Sequence, residues 1–169
     1  MQRECYRFGG VTFAIEADTP IERSAMCAPF HAADGAPEHT IRLYFDDRLP
    51  GPPETAQDRG AVWRWQSGAE RHLLEQYGTP DKPPRFTYAV TRGAHTEVTF
   101  ANAYRAGASV RAVLEAAGLF DIFAARGMLV LHSAYIVTRT GEAILFCGPS
   151  GVGKSTQAEL WREFAAARV

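Results

Sequence analysis

The sequence predicts an α+β fold: a β-rich N-terminal region, then a helix, an antiparallel strand pair, a glycine-rich loop and a last helix. Over residues 1–107, apolar side chains recur at every second position in short runs separated by glycine and proline, which is typical of strands. After residue 107 the apolar period changes to that of a helix. An apolar run at 143–147 then enters a glycine-rich turn that leads into a helix-forming stretch. We therefore divide the chain into a β-rich region, 1–107, and a second region, 108–169.

Composition excludes several functional classes. The chain has 169 residues and is 46% hydrophobic, so it can bury a core. With 18 basic and 19 acidic residues, its net charge of −1 offers no attraction for nucleic acid or an anionic membrane. It has no long apolar run and no signal-peptide pattern at its N-terminus. Its cysteines, Cys5, Cys27 and Cys147, show no metal-ligand spacing, so we expect reduced thiols in a cytoplasmic protein.

The β-rich region is expected to contain about six short strands, including two hairpins. The first hairpin turns at Gly9-Gly10, a favoured two-residue turn, and the second turns at 92–95. Proline-rich loops are expected at 48–53 and 79–84. The predicted strands are 4–8, 11–15, 39–45, 61–65, 71–77, 85–91 and 96–104.

The second region begins with a helix and continues with two strands. Ser109 is a plausible N-cap, and Val110, Val113 and Leu114 fall on one helix face. Gly127 ends the helical stretch, and the apolar run 128–137 predicts a buried strand. Because only a short turn at 139–141 separates this run from the strand at 143–147, the two strands should pair antiparallel. A standard Rossmann-type unit would have a helix between them.

The glycine-rich turn matches a phosphate-binding motif. Gly148, Gly153, Lys154 and Ser155 fit G-x-x-x-x-G-K-[ST], the phosphate-binding loop or P-loop. A match of this kind is expected by chance in roughly one chain in two hundred of this length. The alternative interpretation is an ordinary glycine-rich turn between a strand and a helix, in which the serine and threonine only open the helix.

Each residue type in the motif has a physical role. Glycines let backbone N–H groups approach phosphate oxygens, and the helix start adds a partial positive charge. Lys154 is expected to reach the β- and γ-phosphates, and the Ser155 hydroxyl to ligate Mg²⁺. The rest of the predicted phosphate site consists of Ser150, Gly151, Val152 and Thr156. We expect ATP with Mg²⁺ as the natural ligand and bound sulfate or phosphate as a substitute.

The residues 131–135 (Leu-His-Ser-Ala-Tyr), the short turn and 143–161 together resemble the HPr kinase/phosphorylase-related proteins, and most closely the HPr-kinase-like serine kinases. These proteins are related in fold to the ATP-dependent phosphoenolpyruvate carboxykinases. The resemblance covers about 120–161 and implies an incomplete core of that type. It implies phosphoryl transfer from ATP to a serine hydroxyl of a protein or peptide. It also places His132 near the transferring phosphate, as a catalytic residue together with Lys154.

The chain departs from this family after the last predicted helix. The resemblance implies acidic residues on the next strand, which hold Mg²⁺ and activate the acceptor hydroxyl, but the sequence ends at Val169. We therefore expect a truncated core that binds nucleotide without transferring phosphate alone and self-associates through an open sheet edge. The alternative is a non-catalytic module that binds nucleotide, phosphate or peptide.

Other conspicuous side chains favour structural roles. Trp161 and Phe164 are expected to pack the last helix against the core. Packing is also favoured over ligand stacking for the two tryptophans of the predicted strand at 61–65. A solvated turn is favoured over a metal or base pair for the two adjacent aspartates. The remaining histidines show no ligand spacing. These residues are Trp63, Trp65, Asp46, Asp47, His31, His39, His72 and His95.

Overall fold

The computed structural model describes residues 1–32, 36–77 and 85–169. It is a mixed α/β structure with many strands and few helices. By its contacts the chain divides into two compact units, Met1–Leu119 and Phe120–Val169. The helix after Ser109, which the sequence grouped with the second region, thus belongs to the first unit. No helix in the described ranges is long and apolar enough to cross a membrane.

In the described residues the first unit forms a single mixed sheet, in the order β3-β1-β2-β4-β9-β8-β7-β6-β5. Neighbouring strands are antiparallel except for β2–β4 and β4–β9, which are parallel. The strands are β1 Gln2–Phe8, β2 Val11–Ala17, β3 His31–Ala32, β4 His39–Phe45, β5 Gln57–Asp58, β6 Val62–Ser67, β7 Glu70–Tyr77, β8 Arg85–Arg92 and β9 His95–Phe100.

Both predicted hairpins are confirmed. β1 pairs with β2 across Gly9-Gly10, and β8 pairs with β9. The second arm of the later hairpin is shorter than predicted: it ends at Phe100, and Asn102–Gly107 forms a 3₁₀-helix. Asp47 accepts hydrogen bonds from Asn102, which turns the chain away from the sheet. The predicted loop at 79–84 lies outside the described residues.

One face of the sheet carries the core of the first unit. Its apolar side chains include Ile15, Ile41 and Val98, all at most 1% exposed. Helix α1, Val110–Ala116, contacts β8 and buries the predicted face of Val110, Val113 and Leu114. The Ser109 hydroxyl accepts a hydrogen bond from the backbone N–H of Ala112 at 3.3 Å, as predicted for an N-cap.

The second unit begins within α2, Leu119–Ala124, and contains β10 Ser133–Val137, β11 Ala143–Cys147 and α3 Lys154–Ala165. β10 and β11 are adjacent and antiparallel, as predicted from the short turn. The predicted strand at 128–137 was too long, since it begins only at Ser133. Leu129, 81% exposed, lies in the irregular segment before it. β11 is also less buried than predicted, because its residues alternate between exposed and half-buried.

The core of the second unit lies between one face of the strand pair and α3. Ile136, Ala158 and Ala167 form its buried centre, and Trp161 packs against them, as predicted. The same prediction was wrong for Phe164, which is 78% exposed. Phe164 lies six positions after Ala158 in the helix, which places it about 120° away around the helix axis. One helix over two strands covers only one face of each element.

Candidate functional site

The loop between β11 and α3 has a backbone that requires glycine. Gly151 has φ of +81° and Gly153, the N-cap of α3, has φ of +91°. Side chains with a Cβ cost about 1–2 kcal/mol in this left-handed region. A Cβ added at Gly148 would lie 3.1 Å from Cγ1 of Val152, so this position is also tight. The spacing of glycines in the sequence therefore matches the conformation of the loop.

Lys154 closes the loop with its side chain. It is the first residue of α3, and its Nζ donates to the carbonyl oxygens of Gly148 and Pro149, both at 2.9 Å. Both acceptors are neutral, and Lys154 forms no ion pair with any residue that the structure describes. The loop thus holds an ammonium group whose charge has no acidic partner among the described residues.

The start of α3 adds donors next to this ammonium group. The first turn of a helix leaves its N–H groups without partners inside the helix, and Gln157 is the first to donate back, to the carbonyl of Gly153 at 2.9 Å. The helix dipole adds a partial positive charge at the same end. Ser150, Val152, Ser155 and Thr156 are all exposed here, so the two hydroxyls beside Lys154 can be reached by a ligand.

His132 lies at the same end of the strand pair as the loop. It is exposed and immediately precedes β10, so the expectation that it belongs to the strand was wrong. Ser133, the next residue, pairs with Cys147, which directly precedes Gly148. The strand register therefore brings His132 beside the beginning of the loop, and its role in catalysis stays a prediction.

Within the described ranges, no group of three or more histidine, cysteine, aspartate and glutamate side chains is placed to hold a metal ion. The adjacent aspartates serve the turn after β4, as the sequence favoured. Asp46 accepts a hydrogen bond from the backbone N–H of Arg48 at 2.9 Å. Asp47 accepts two hydrogen bonds from Asn102, from the backbone N–H at 2.8 Å and from the side chain at 3.0 Å. These bonds lower the pKa of the Asp47 carboxyl.

The aromatic residues of the first unit pack against each other. Trp65 stacks on His72 with ring centres 4.9 Å apart and planes 2° apart, and Tyr88 lies 6.1 Å from Trp65. His72 Nδ1 lies 2.7 Å from the Tyr88 hydroxyl oxygen. This arrangement confirms the packing interpretation for Trp65.

Sequence reasoning missed a second concave site, at one end of the large sheet. It joins Asp18, Asp46, Arg48 and Arg105 in one groove. No spacing pattern could have found it, because these residues come together only through the parallel pairing of β2, β4 and β9.

No family model, no curated protein and no solved structure matches this chain. The assignment of the loop therefore depends on its motif and its geometry.

Proposed function

We propose that residues 148–156 bind the phosphate groups of ATP together with Mg²⁺. We further propose that the chain is of HPr-kinase-like type, whose reaction transfers the γ-phosphoryl group to a serine hydroxyl of a protein or peptide. The observation that carries this proposal is the position of Lys154, whose ammonium group lies against two carbonyls of a glycine-rich loop at a helix N-terminus.

Three features of the loop favour a phosphate ligand. The ammonium group and the helix start both attract negative charge. The left-handed glycines leave the backbone free of side chains, so N–H groups can surround a tetrahedral anion. The carbonyls that now accept from Lys154 are neutral, whereas phosphate oxygens carry negative charge, so a phosphate group adds Coulomb attraction to the hydrogen bond. A phosphate group can therefore draw the lysine from its present contacts.

The residues also fit a magnesium ion bound with the nucleotide. Mg²⁺ in nucleotide sites takes most of its ligands from phosphate oxygens and water, and needs few from the protein. The exposed Ser155 hydroxyl, next to Lys154, is the protein ligand we propose. When bound, the ion would neutralise charge on the phosphates during transfer.

The strand arrangement supports the HPr-kinase-like form of the proposal. β10 runs antiparallel to β11, the strand that leads into the loop, and a short turn joins them. In a Rossmann-type unit the neighbouring strand is parallel and is reached through a helix. The same register places His132 beside the loop, which supports its proposed position near the transferring phosphate.

Titration calorimetry with ATP and adenosine tests whether the loop recognises phosphate. The proposal predicts saturable binding of ATP in the presence of Mg²⁺, competition by pyrophosphate and no binding of adenosine, because the contacts are made to phosphates. Equal affinity for ATP and adenosine would contradict it.

Phosphate transfer separates the two functional classes. We expect the chain alone to bind ATP without transferring label from its γ-phosphate to an added serine-containing peptide. Label on the peptide that Lys154→Ala abolishes would overturn this expectation and would exclude the non-catalytic nucleotide-binding module.

A further inference from the structure

The carboxyl ends of three neighbouring strands meet at one end of the large sheet. β2, β4 and β9 are parallel, and Ala17 of β2 is paired with Leu43 of β4, close to the end of each strand. A groove of about 490 Å³ lies there. Ligand sites are commonly 300–1,000 Å³ in volume, and open α/β sheets bind ligands outside the carboxyl ends of their parallel strands.

Hydrogen bonds and ring contacts hold the walls of this groove. The backbone N–H of Asp46, after β4, donates to the carbonyl of Phe100 at the end of β9, at 3.0 Å. The guanidinium carbon of Arg105 lies 4.4 Å from the centre of the Phe45 ring, a cation–π contact. The 3₁₀-helix that carries Arg105 is itself fixed by the two bonds between Asn102 and Asp47. These contacts therefore fix the shape of the groove at this end of the sheet.

The groove contains charges of both signs. Asp18 and Asp46 supply two carboxylates, and Arg48 and Arg105 supply two guanidinium groups. Asp18 lies 3.7 Å from an ammonium group, that of the N-terminal Met1. The guanidinium group of Arg48 forms no ion pair with any residue in the described ranges. Neither Asp46 nor Arg48 forms an ion pair with a described residue, so the groove favours a ligand that carries both a positive and a negative group.

Aromatic side chains also line the groove. Tyr44, Thr99 and Tyr88 are directly paired across β4, β9 and β8, so their side chains lie in one row on one face of the sheet. The two tyrosines and Phe45 line the groove, and Tyr44 is 38% exposed. The exposed ring of Tyr44 and the half-buried rings of Tyr88 and Phe45 offer contact area to an apolar side chain at little entropic cost.

We propose that this groove binds a zwitterion with an apolar or aromatic side chain, either a free amino acid or a short peptide. The ammonium group of the ligand pairs with Asp46 and its carboxylate pairs with Arg48. The side chain lies on the tyrosines. This proposal does not rest on the proposed function of the phosphate loop.

Calorimetric titration of the full chain tests the proposal with L-phenylalanine, the dipeptide Phe-Phe and the uncharged N-acetyl-phenylalanine amide. We expect saturable binding of at least one zwitterion at millimolar concentration or below, and binding of the uncharged analogue at least about tenfold weaker. Binding of L-phenylalanine alone identifies an amino-acid site, and binding of the dipeptide alone identifies a peptide site.

Arg48→Gln should weaken zwitterion binding by about tenfold, because a charge-assisted hydrogen bond contributes about 1.5 kcal/mol or more. Arg59→Gln is the matched control, since Arg59 is also exposed but does not line the groove. Lys154→Ala should leave this binding unchanged. The proposal is overturned if neither zwitterion saturates, if the uncharged analogue binds equally well, or if both arginine variants weaken binding to the same extent.

Discussion

At the scale of single residues, the position of the Lys154 side chain depends on the glycines that precede it in the loop. The side chain of Lys154 reaches back across the loop to Gly148 and Pro149, and it can do so only because the backbone between them bears no bulky side chain at its turning points. Gly153 has two roles. It is the left-handed N-cap residue of α3, and it immediately precedes Lys154.

Gly153→Ala should weaken ATP binding by roughly fivefold to thirtyfold, because a Cβ at positive φ costs about 1–2 kcal/mol in the conformation that the loop needs. Gly107→Ala is the control: it has no positive φ and its Cβ would meet nothing within 4 Å. Calorimetric titration with ATP measures both variants. Equal affinity in the two would show that the left-handed conformation is not required.

The residues of the loop could be predicted from the sequence because the motif is local. Gly148, Gly153 and Lys154 lie within seven positions, and their spacing alone sets the turn. Asp18 and Arg105 could not be placed together, because their proximity results from strand pairing between distant segments. The residues of the loop could thus be identified from the sequence, whereas the residues of the groove could not.

At the scale of elements, the burial of a strand or helix depends on how many of its faces pack against another element. The strand predicted at 128–137 was expected to be buried because it is apolar, yet only Ser133–Val137 forms a strand, and Leu131 is 49% exposed. α3 covers one face of the β10–β11 pair and packs on Ile136. An apolar sequence predicts only that a segment tends to be buried. Whether it is buried depends on how many layers of secondary structure pack against it.

The hydrogen bonds between Asp47, after β4, and Asn102, in the 3₁₀-helix, predict how the stability of the fold depends on pH. Hydrogen bonds from Asn102 lower the pKa of Asp47, so this contact stabilises the folded state above the ordinary carboxyl pKa of about 3.9. The contribution is lost as the pH falls through the lower, folded-state pKa. Urea unfolding from about pH 5 to about pH 2 should therefore show a smaller acid-dependent loss in Asp47→Asn than in the parent chain.

Asp58→Asn is a control for this pH measurement, since Asp58 is an exposed carboxylate on β5 and is not bonded to Asn102. An equal acid-dependent loss in Asp47→Asn and the parent chain would show that the contact with Asn102 does not couple to folding.

At the scale of the whole molecule, the second unit leaves strand and apolar surface without a partner in the described residues. β11 pairs only with β10 there, and Tyr135 and Leu145 are directly opposite each other, 56% and 50% exposed. A pair of strands is rarely stable without further packing, and an unpaired edge is a template for another strand. We therefore propose that two copies of the chain associate through β11.

Leu145→Glu should shift this association toward the monomer, because it places a charge on the apolar face next to the open edge. Light scattering over a range of protein concentrations measures the molar mass in solution and so distinguishes the monomer from the dimer. Leu129→Glu is the control, since Leu129 is equally apolar and 81% exposed but lies outside both strands. A mass that stays monomeric at high concentration in the parent chain would rule out the dimer.

The central claim is that the 148–156 loop binds nucleotide phosphates through Lys154, and calorimetric titration of the Lys154→Ala variant with ATP and Mg²⁺ tests it most directly. The sequence contains one other lysine, so Lys82→Ala is a natural control. Loss of the charge-assisted contacts to phosphate should lower the affinity by roughly tenfold to a hundredfold with no change in the thermal unfolding of the first unit, while Lys82→Ala should bind like the parent chain. Equal ATP affinity in all three proteins would contradict the assignment of the loop.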